Sequence, residues 1–385
     1  MAAQALPIPR YGVRSLAELM PSMLSALGVG GFANPLALSP VSRAVLFLVD
    51  GLGDEQLRSH SGIAPFLSGR RGEPLSAGFP ATTVASLGSV GTGLTPGEHG
   101  LVGYTFGLTG YDRAINVLSW SLYGLGPQVD LRQAIVPERF QPLPTVFERA
   151  AADGLEMTLL GKAIFAGSGF TRAAFRGARL RTAETLEALV GEVGRALQPA
   201  PSFVYAYYAG LDAAGHVSGV DSPQWRTQLE QVDSAAERMA ARLPPGTLLL
   251  VCADHGMVDL AEHQRLDLED EPALAAGVRM LAGEARARHI FTQPGAEADV
   301  LAAWQARLGD RMVIWPREEA IALQLFGPRV PDPVRPRIGD LVAAAQGPVG
   351  IVQRAVDPAQ GRFRGHHGSY TPAEQLVPFA TVSRS

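Results

Sequence analysis

The sequence is short of cysteine and nearly devoid of lysine, and each shortage narrows what the chain can do. One cysteine, Cys252, occurs in 385 residues. A single thiol can form neither an internal disulfide nor a thiolate metal cluster. Of 33 basic side chains, only Lys162 is a lysine. A compact ammonium therefore occurs at one position, and every other cation is a planar guanidinium fork. A basic surplus is also missing: 37 acidic residues outnumber the basic ones and leave a net charge of -4. Tight binding to a nucleic-acid backbone needs a clustered cationic face, so a nucleic-acid duplex is not an expected partner. No run approaches the ~18 apolar residues of a membrane span, so no membrane partner is expected either. Met1 to Arg14 hold Pro7, Pro9 and two arginines, with no apolar secretory core. The expected location is cytoplasmic.

The length suffices for one large α/β domain with a smaller insertion. Arg43–Val49 (RAVLFLV) is an unbroken apolar run that ends at Asp50. Such a run predicts a strand covered on both faces, as in parallel sheets. Leu155–Leu160, Phe203–Tyr208 and Thr247–Ala253 read alike, the last ending at Asp254. Helices fall between them. The clearest follows Ser222 as N-cap with Pro223 in its first turn, and Trp225, Leu229, Val232, Met239 and Leu243 recur at helical spacing. Strands alternating with helices predict a doubly wound, mostly parallel sheet.

Residues 1–40 are expected to form a leader segment packed on the core, with a short helix opened by Ser15 and Glu18 in capping-box spacing. Residues 258–350 are richer in Arg, Glu and Pro and hold shorter strand-like runs such as Met312–Trp315. They are expected to form a small α+β cap inserted late in the chain. The catalytic core then comprises 41–257 and 351–385 and finishes with a strand over Pro378–Val382.

The polar residues collect where such a sheet binds ligands, outside the carboxyl ends of its strands. Asp50, Asp212 and Asp254 each lie at or just beyond a strand end, with His216 four residues after Asp212 and His255 next to Asp254. A further imidazole comes from His366 or His367. Three carboxylates and three imidazoles suit two divalent cations, best Zn²⁺ with Mn²⁺ also compatible, each keeping an open position. Two such ions form the clamp used for in-line displacement at phosphorus. A hydroxyl is available in Gly78–Ser86, where Thr82 and Thr83 precede a small-residue helical stretch. A helix N-terminus supplies positive potential, and spacing alone fits either threonine.

Leu48-Val49-Asp50-Gly51, Phe79-Pro80 with Thr83 beyond, Thr92-Gly93 through His99-Gly100, Asp212 to His216, Asp254-His255-Gly256 and His367-Gly368 occur in one order along the chain. Together they resemble the nucleotide pyrophosphatase/phosphodiesterase branch of the alkaline phosphatase superfamily, over roughly 43–256 and 365–382. The resemblance implies an alkaline-phosphatase-like fold. It implies one metal on Asp50, Asp254 and His255 beside the nucleophile Thr83, and a second on Asp212, His216 and His367. The implied activity is hydrolysis of a small phosphorylated substrate, a phosphodiester or pyrophosphate, through a phosphothreonine. Related alternatives are a phosphomonoesterase, a phosphonate hydrolase or a phosphomutase. Two positions depart from the pattern. Val84 stands where many members place a base-stacking aromatic, and Tyr104 stands where many place an asparagine that donates to a phosphoryl oxygen. Lysines near the transferred group in related enzymes make Lys162 a further candidate for substrate binding.

Overall fold

The computed structural model describes residues 9–384. Helix α1 (Leu16–Ala26) opens on Ser15, whose side chain and that of Glu18 close the expected capping box. Its buried face, with Leu16, Leu19, Met20 and Met23, joins the main apolar core. The chain continues through β1 (Arg43–Val49), α2 (Thr83–Thr92), β2 (Met157–Gly161), β3 (Arg179–Thr182) and β4 (Ser202–Tyr208). After α3 (Gly210–Ser218), α4 (Pro223–Arg242) and β5 (Thr247–Cys252), the insertion supplies β6 (Val278–Glu284), β7 (Ala287–Thr292), α5 (Glu297–Leu308), β8 (Met312–Pro316) and β9 (Leu341–Ala345). The chain ends in β10 (Ala380–Arg384).

The central sheet has the order β10-β5-β1-β4-β2-β3. All pairings are parallel except that of β10 with β5. The apolar runs predict these strands because the central members are covered on both faces: β5 is buried throughout, and β1 at every residue after Arg43. Two strands start two residues later than expected. The second strand begins at Met157 rather than Leu155, and the last begins at Ala380 rather than Pro378, which has no N–H to donate to a ladder. Strand β3 (RLRT) escaped the sequence reading because it is a largely exposed edge strand with two arginines.

Topology places the function. From β1 the chain passes to β2 on one side of the sheet, and from β4 it crosses to β5 on the other. The order therefore reverses around β1, and ligands bind at such a reversal. Strands β5, β1 and β4 are neighbours, so the residues that follow them, Asp254, Asp50 and Asp212, converge.

The insertion forms an antiparallel sheet of order β6-β7-β9-β8. Alternate residues face two different cores. Ile290, Ile314, Leu341 and Ala343 pack with Trp304 of α5 in a cluster of their own, whereas Ala287, Trp315, Val342 and Ala344 join the main core. A short three-stranded sheet over Thr105–Phe106, Ala114–Asn116 and Ser121–Tyr123 was not anticipated, its strands being too brief to show a period. It meets the insertion through Ala114 and Tyr123 against Ala282 and Phe291.

One buried ion pair ties the insertion to the core. Arg286, in the turn between β6 and β7, reaches Glu374 at 2.7 Å, with both side chains at 2% exposure or less. Its remaining donors meet the Gly347 and Val349 carbonyls at 2.6 and 2.9 Å. Glu374 also accepts from the Ser369 amide at 3.0 Å and the Thr371 hydroxyl. Removing one partner of such a pair strands the other charge without water. Glu374→Ala is expected to cost about 3–5 kcal/mol of unfolding free energy and Glu374→Gln distinctly less, because the amide keeps an acceptor. Chemical denaturation of the three proteins measures this. Equal midpoints for wild type and alanine variant would show that the pair does not join the two parts.

Candidate active site

Asp50 follows β1 directly, and its amide hydrogen-bonds the Tyr208 carbonyl of β4 at 2.9 Å. Gly51 then turns the chain with φ +75°. A Cβ at this residue would lie 2.9 Å from the Asp212 Cβ, so glycine is required both by the turn and by the approach of α3. The Gly51 amide donates to Asp254 Oδ1 at 3.1 Å. One turn of backbone thus gathers all three aspartates. Asp212 and His216 sit one helical turn apart on α3 and face the same way, with Nε2 and Oδ2 3.4 Å apart.

The residues form two groups. Asp50, Asp254 and His255 make one, and Asp212, His216 and His367 the other; in each, one ligand atom per residue lies within 4.8 Å of the other two. The groups adjoin, since the His255 and His367 rings stack with centroids 3.6 Å apart. His366, the alternative at the sequence level, points its Nε2 to the Phe363 carbonyl at 3.0 Å and belongs to neither group.

The donor chemistry fits divalent cations. Asp50 Oδ1, Asp212 Oδ1 and Asp254 Oδ2 are buried and lack a hydrogen-bond partner. Each imidazole has its Nδ1 on a backbone carbonyl: His216 on Gly365 at 2.8 Å, His255 on Gly256 at 2.9 Å and His367 on Ala81 at 2.9 Å. A carbonyl only accepts, so Nδ1 carries the proton and Nε2 offers a lone pair to the group. Burial holds the His367 ring well below the usual imidazole range, helped by His255 and His216. Burial also raises Asp50 well above the usual carboxylate range, with Asp254 and Asp212 adding repulsion. Tyr207 donates a hydrogen bond to Asp50 Oδ2 and opposes that rise. Sequence reasoning missed Tyr207, which sits inside a run read only as strand.

Thr83 is the first residue of α2, and Thr82 is its N-cap without a side-chain capping bond. The first-turn amides have no intrahelical acceptor and create positive potential around the hydroxyl. Thr83 Oγ1 lies 3.2 Å from His255 Nε2.

Two cavities meet at Thr83 and share Asp212 and Leu118. One, of about 380 Å³, is walled by Leu159, Ile164, Phe165, Phe170 and Phe175. The other, of about 310 Å³, has Tyr104, Glu284, Asp357 and Phe363 in its wall. Tyr104 lies in this wall. Asn116 Nδ2 donates to its phenol oxygen at 2.6 Å, which leaves the phenol proton free to donate into the cavity. Burial lifts the Tyr104 phenol to about 12. Glu284 comes from the insertion, 180 residues after Tyr104, and its Oε1 accepts the Tyr104 amide at 2.8 Å. Nothing in the sequence signalled it.

Two expected substrate contacts do not line the cavities at Thr83. Lys162 is exposed on the turn after β2, which is separated from β1 by β4. It borders a small cleft with Glu184 and Tyr208 and lines neither cavity at Thr83. Val84 is fully buried in the main core and also lines neither. The residue after Thr83 is turned into the core by the helix that Thr83 begins.

A family model described as type I phosphodiesterase / nucleotide pyrophosphatase matches residues 44–370. The chain belongs to this family. Its fold is shared with murine ectonucleotide pyrophosphatase/phosphodiesterase 5, with a TM-score of 0.65 and 17% identity over 89% of this chain and 88% of that one. The human counterpart gives 0.65 and 16% over 88% and 87%. An inactive variant of the murine protein in complex with AMP gives 0.64 and 16% over 89% and 88%. At such identities the likeness establishes an alkaline-phosphatase-like fold. A 58-residue stretch is 41% identical to GPI ethanolamine phosphate transferase 3 of Schizosaccharomyces pombe, which is 15% of this chain and 6% of that protein. The catalytic subunit of the human transferase 3 gives 36% over 58 residues, 15% of this chain and 5% of that one. The chain therefore covers only a small part of the length of these curated relatives. Among the described residues, no helix is long and apolar enough to cross a membrane.

The geometry can be tested on the metals and on Lys162. Metal-stripped protein should gain stability on adding Zn²⁺ or Mn²⁺, by about 2.7 kcal/mol for each site held at a hundredfold excess over its Kd. Asp212→Ala should retain one ion where wild type retains two, as read by elemental analysis. A wild type that holds less than one ion after reconstitution would contradict the ligand assignment. Lys162→Ala should change stability by less than about 0.5 kcal/mol, as a surface substitution does, and should leave monoester and diester turnover alike unchanged. A selective loss on the monoester would return Lys162 to the site.

Proposed function

We propose that the protein is a dinuclear-metal phosphohydrolase that cleaves phosphodiester or pyrophosphate bonds of small substrates, with Thr83 as nucleophile. One observation carries this reading: a helix-terminal hydroxyl stands 3.2 Å from His255 Nε2, beside two three-residue groups in which one oxygen of each aspartate is buried without a hydrogen-bond partner. Asp50, Asp254 and His255 would hold one cation next to Thr83, and Asp212, His216 and His367 the other. The ions, most suitably Zn²⁺ with Mn²⁺ an alternative, would supply Lewis acidity and lower the pKa of the oxygens bound to them.

The chain's own part is positioning and proton control. Thr83 Oγ attacks phosphorus and gives up its proton, which ends on the leaving oxygen. The bond from phosphorus to the leaving oxygen breaks, giving a phosphothreonine and the free alcohol or phosphate. Water then cleaves the bond between Oγ and phosphorus, regenerating Thr83. Two in-line displacements leave the configuration at phosphorus unchanged. The amides at the start of α2 face the growing negative charge, and the Tyr104 phenol donates one hydrogen bond to it.

The similarity to ethanolamine phosphate transferases supports a second reading, in which an acceptor alcohol replaces water in the second step. A phosphomonoesterase or phosphonate hydrolase loses its main sequence support now that Lys162 lies outside the cavities, and no structural observation favours a mutase.

Thr83→Ala should lower diester turnover at least about several hundredfold while sparing metal content. Thr82→Ala should do less, because that hydroxyl stands beside Glu284 instead. Turnover of para-nitrophenyl phosphodiester, monoester and phenylphosphonate, with zinc and with manganese, measures this. Assays with added alcohols separate hydrolysis from transfer. Equal losses at both threonines would refute the nucleophile assignment.

A further inference from the structure

Glu284 is a carboxylate without an obvious task. It is 6% exposed and lies in the wall of the cavity that contains Asp212, His216 and His367. Oε1 is used by the Tyr104 amide, and Oε2 has no hydrogen-bond partner. The Thr82 hydroxyl lies beside the carboxylate without closing a bond of normal geometry to Oε2. Arg288 is a buried cation whose charge reaches Glu284, and its donors are taken by the Gly283 and Ile351 carbonyls and by Gln360 Oε1. It moderates the charge of the cavity but gives Glu284 no hydrogen bond. Glu374 shows the contrast, because its oxygens are met by Arg286, Ser369 and Thr371.

The rest of this wall suits a cation. Asp357 adds a second carboxylate, and Tyr104 and Phe363 supply aromatic faces. No lysine or arginine lines the cavity. The opposite cavity is apolar and aromatic. A diester centred at Thr83 would thus send one arm into an apolar space and the other toward Glu284.

Resting on the phosphodiesterase reading, we infer that Glu284 is a specificity residue that selects diesters whose second arm is an amino alcohol, through a charge-assisted hydrogen bond from a primary ammonium to Oε2. A primary ammonium is favoured over a quaternary one because Oε2 needs an N–H donor, which a quaternary nitrogen lacks.

The test compares the para-nitrophenyl phosphodiesters of ethanolamine, choline and propanol on the metal-loaded enzyme. The ethanolamine ester should exceed the propyl ester in kcat/KM by about tenfold or more, with the choline ester between them. Glu284→Gln keeps an acceptor for the Tyr104 amide and removes the charge, and should lower the ethanolamine-to-propyl ratio by about the same factor. A wild-type ratio near one, or a Glu284→Gln loss equal on all esters, overturns the inference; the latter would make Glu284 part of the chemistry common to every substrate. Calorimetric binding of phosphoethanolamine and propyl phosphate to metal-loaded Thr83→Ala protein reads the same preference without turnover, and equal affinities overturn it again. Absence of turnover on every ester would refute the diesterase reading instead, and the binding ratio would still decide the role of Glu284.

Discussion

Everything at the strand ends follows from three carboxylates placed together out of water. Asp50 and Asp254 are 3% and 0% exposed, and Asp212 lies against Gly51. Each isolated buried carboxylate costs several kcal/mol in folding, and mutual repulsion adds to that. Hydrogen bonds offset part of it, from Tyr207 to Asp50 and from the Gly51 and His255 amides to Asp254 Oδ1. Two of the oxygens left over, Asp50 Oδ1 and Asp254 Oδ2, lie 3.3 and 3.5 Å from His255 Nε2. A fold that collects such a set without internal cations keeps a binding site at the expense of stability. The strength of β1, β4 and β5, joined in continuous parallel register, is what holds the set in place.

The central part of this arrangement was legible because it is local in sequence. A strand buried on both faces must be an apolar run, so its end is visible, and the aspartate after it is already at the ligand-binding edge of the sheet. Asp212 and His216 carry their own geometry, since four residues on a helix give one face. What the sequence conceals is contact over long separations. Glu284 meets Tyr104 across 180 residues, and Tyr207 is hidden inside a strand whose alternate faces look equally apolar. Lys162 shows how sheet order bears on such a reading. A strand end was read correctly, but the strand is β2, one position beyond β4, and only the order of the sheet reveals that its end lies beside the site rather than in it. Rarity of lysine was a compositional signal, and position in the sheet outweighs it.

The insertion also acquires a role that its composition did not announce. Within three residues it supplies Glu284 to the cavity and Arg286 to the ion pair with Glu374. Glu374 in turn accepts the amide of Ser369, two residues beyond His367. The cavity wall and the segment bearing His367 are therefore fixed to the same turn between β6 and β7. A shift of this turn would move the recognition wall and the ligand set together, so their spacing is preserved where separate anchors would let it drift.

The same logic extends to the imidazoles. Their Nδ1 partners are backbone carbonyls of Gly365, Gly256 and Ala81, which lie in three different segments. A backbone acceptor persists through side-chain substitution and cannot release a proton to the ring, so the tautomer that offers Nε2 is fixed by the chain path itself. The Ala81 carbonyl belongs to the stretch that leads into Thr83, and the Ala81 amide bonds the Gly368 carbonyl at 2.9 Å. His367 is thus oriented by the residues that lead into Thr83. His367 and Thr83 share one frame of backbone hydrogen bonds, and this frame, more than any single side chain, sets the distance between them.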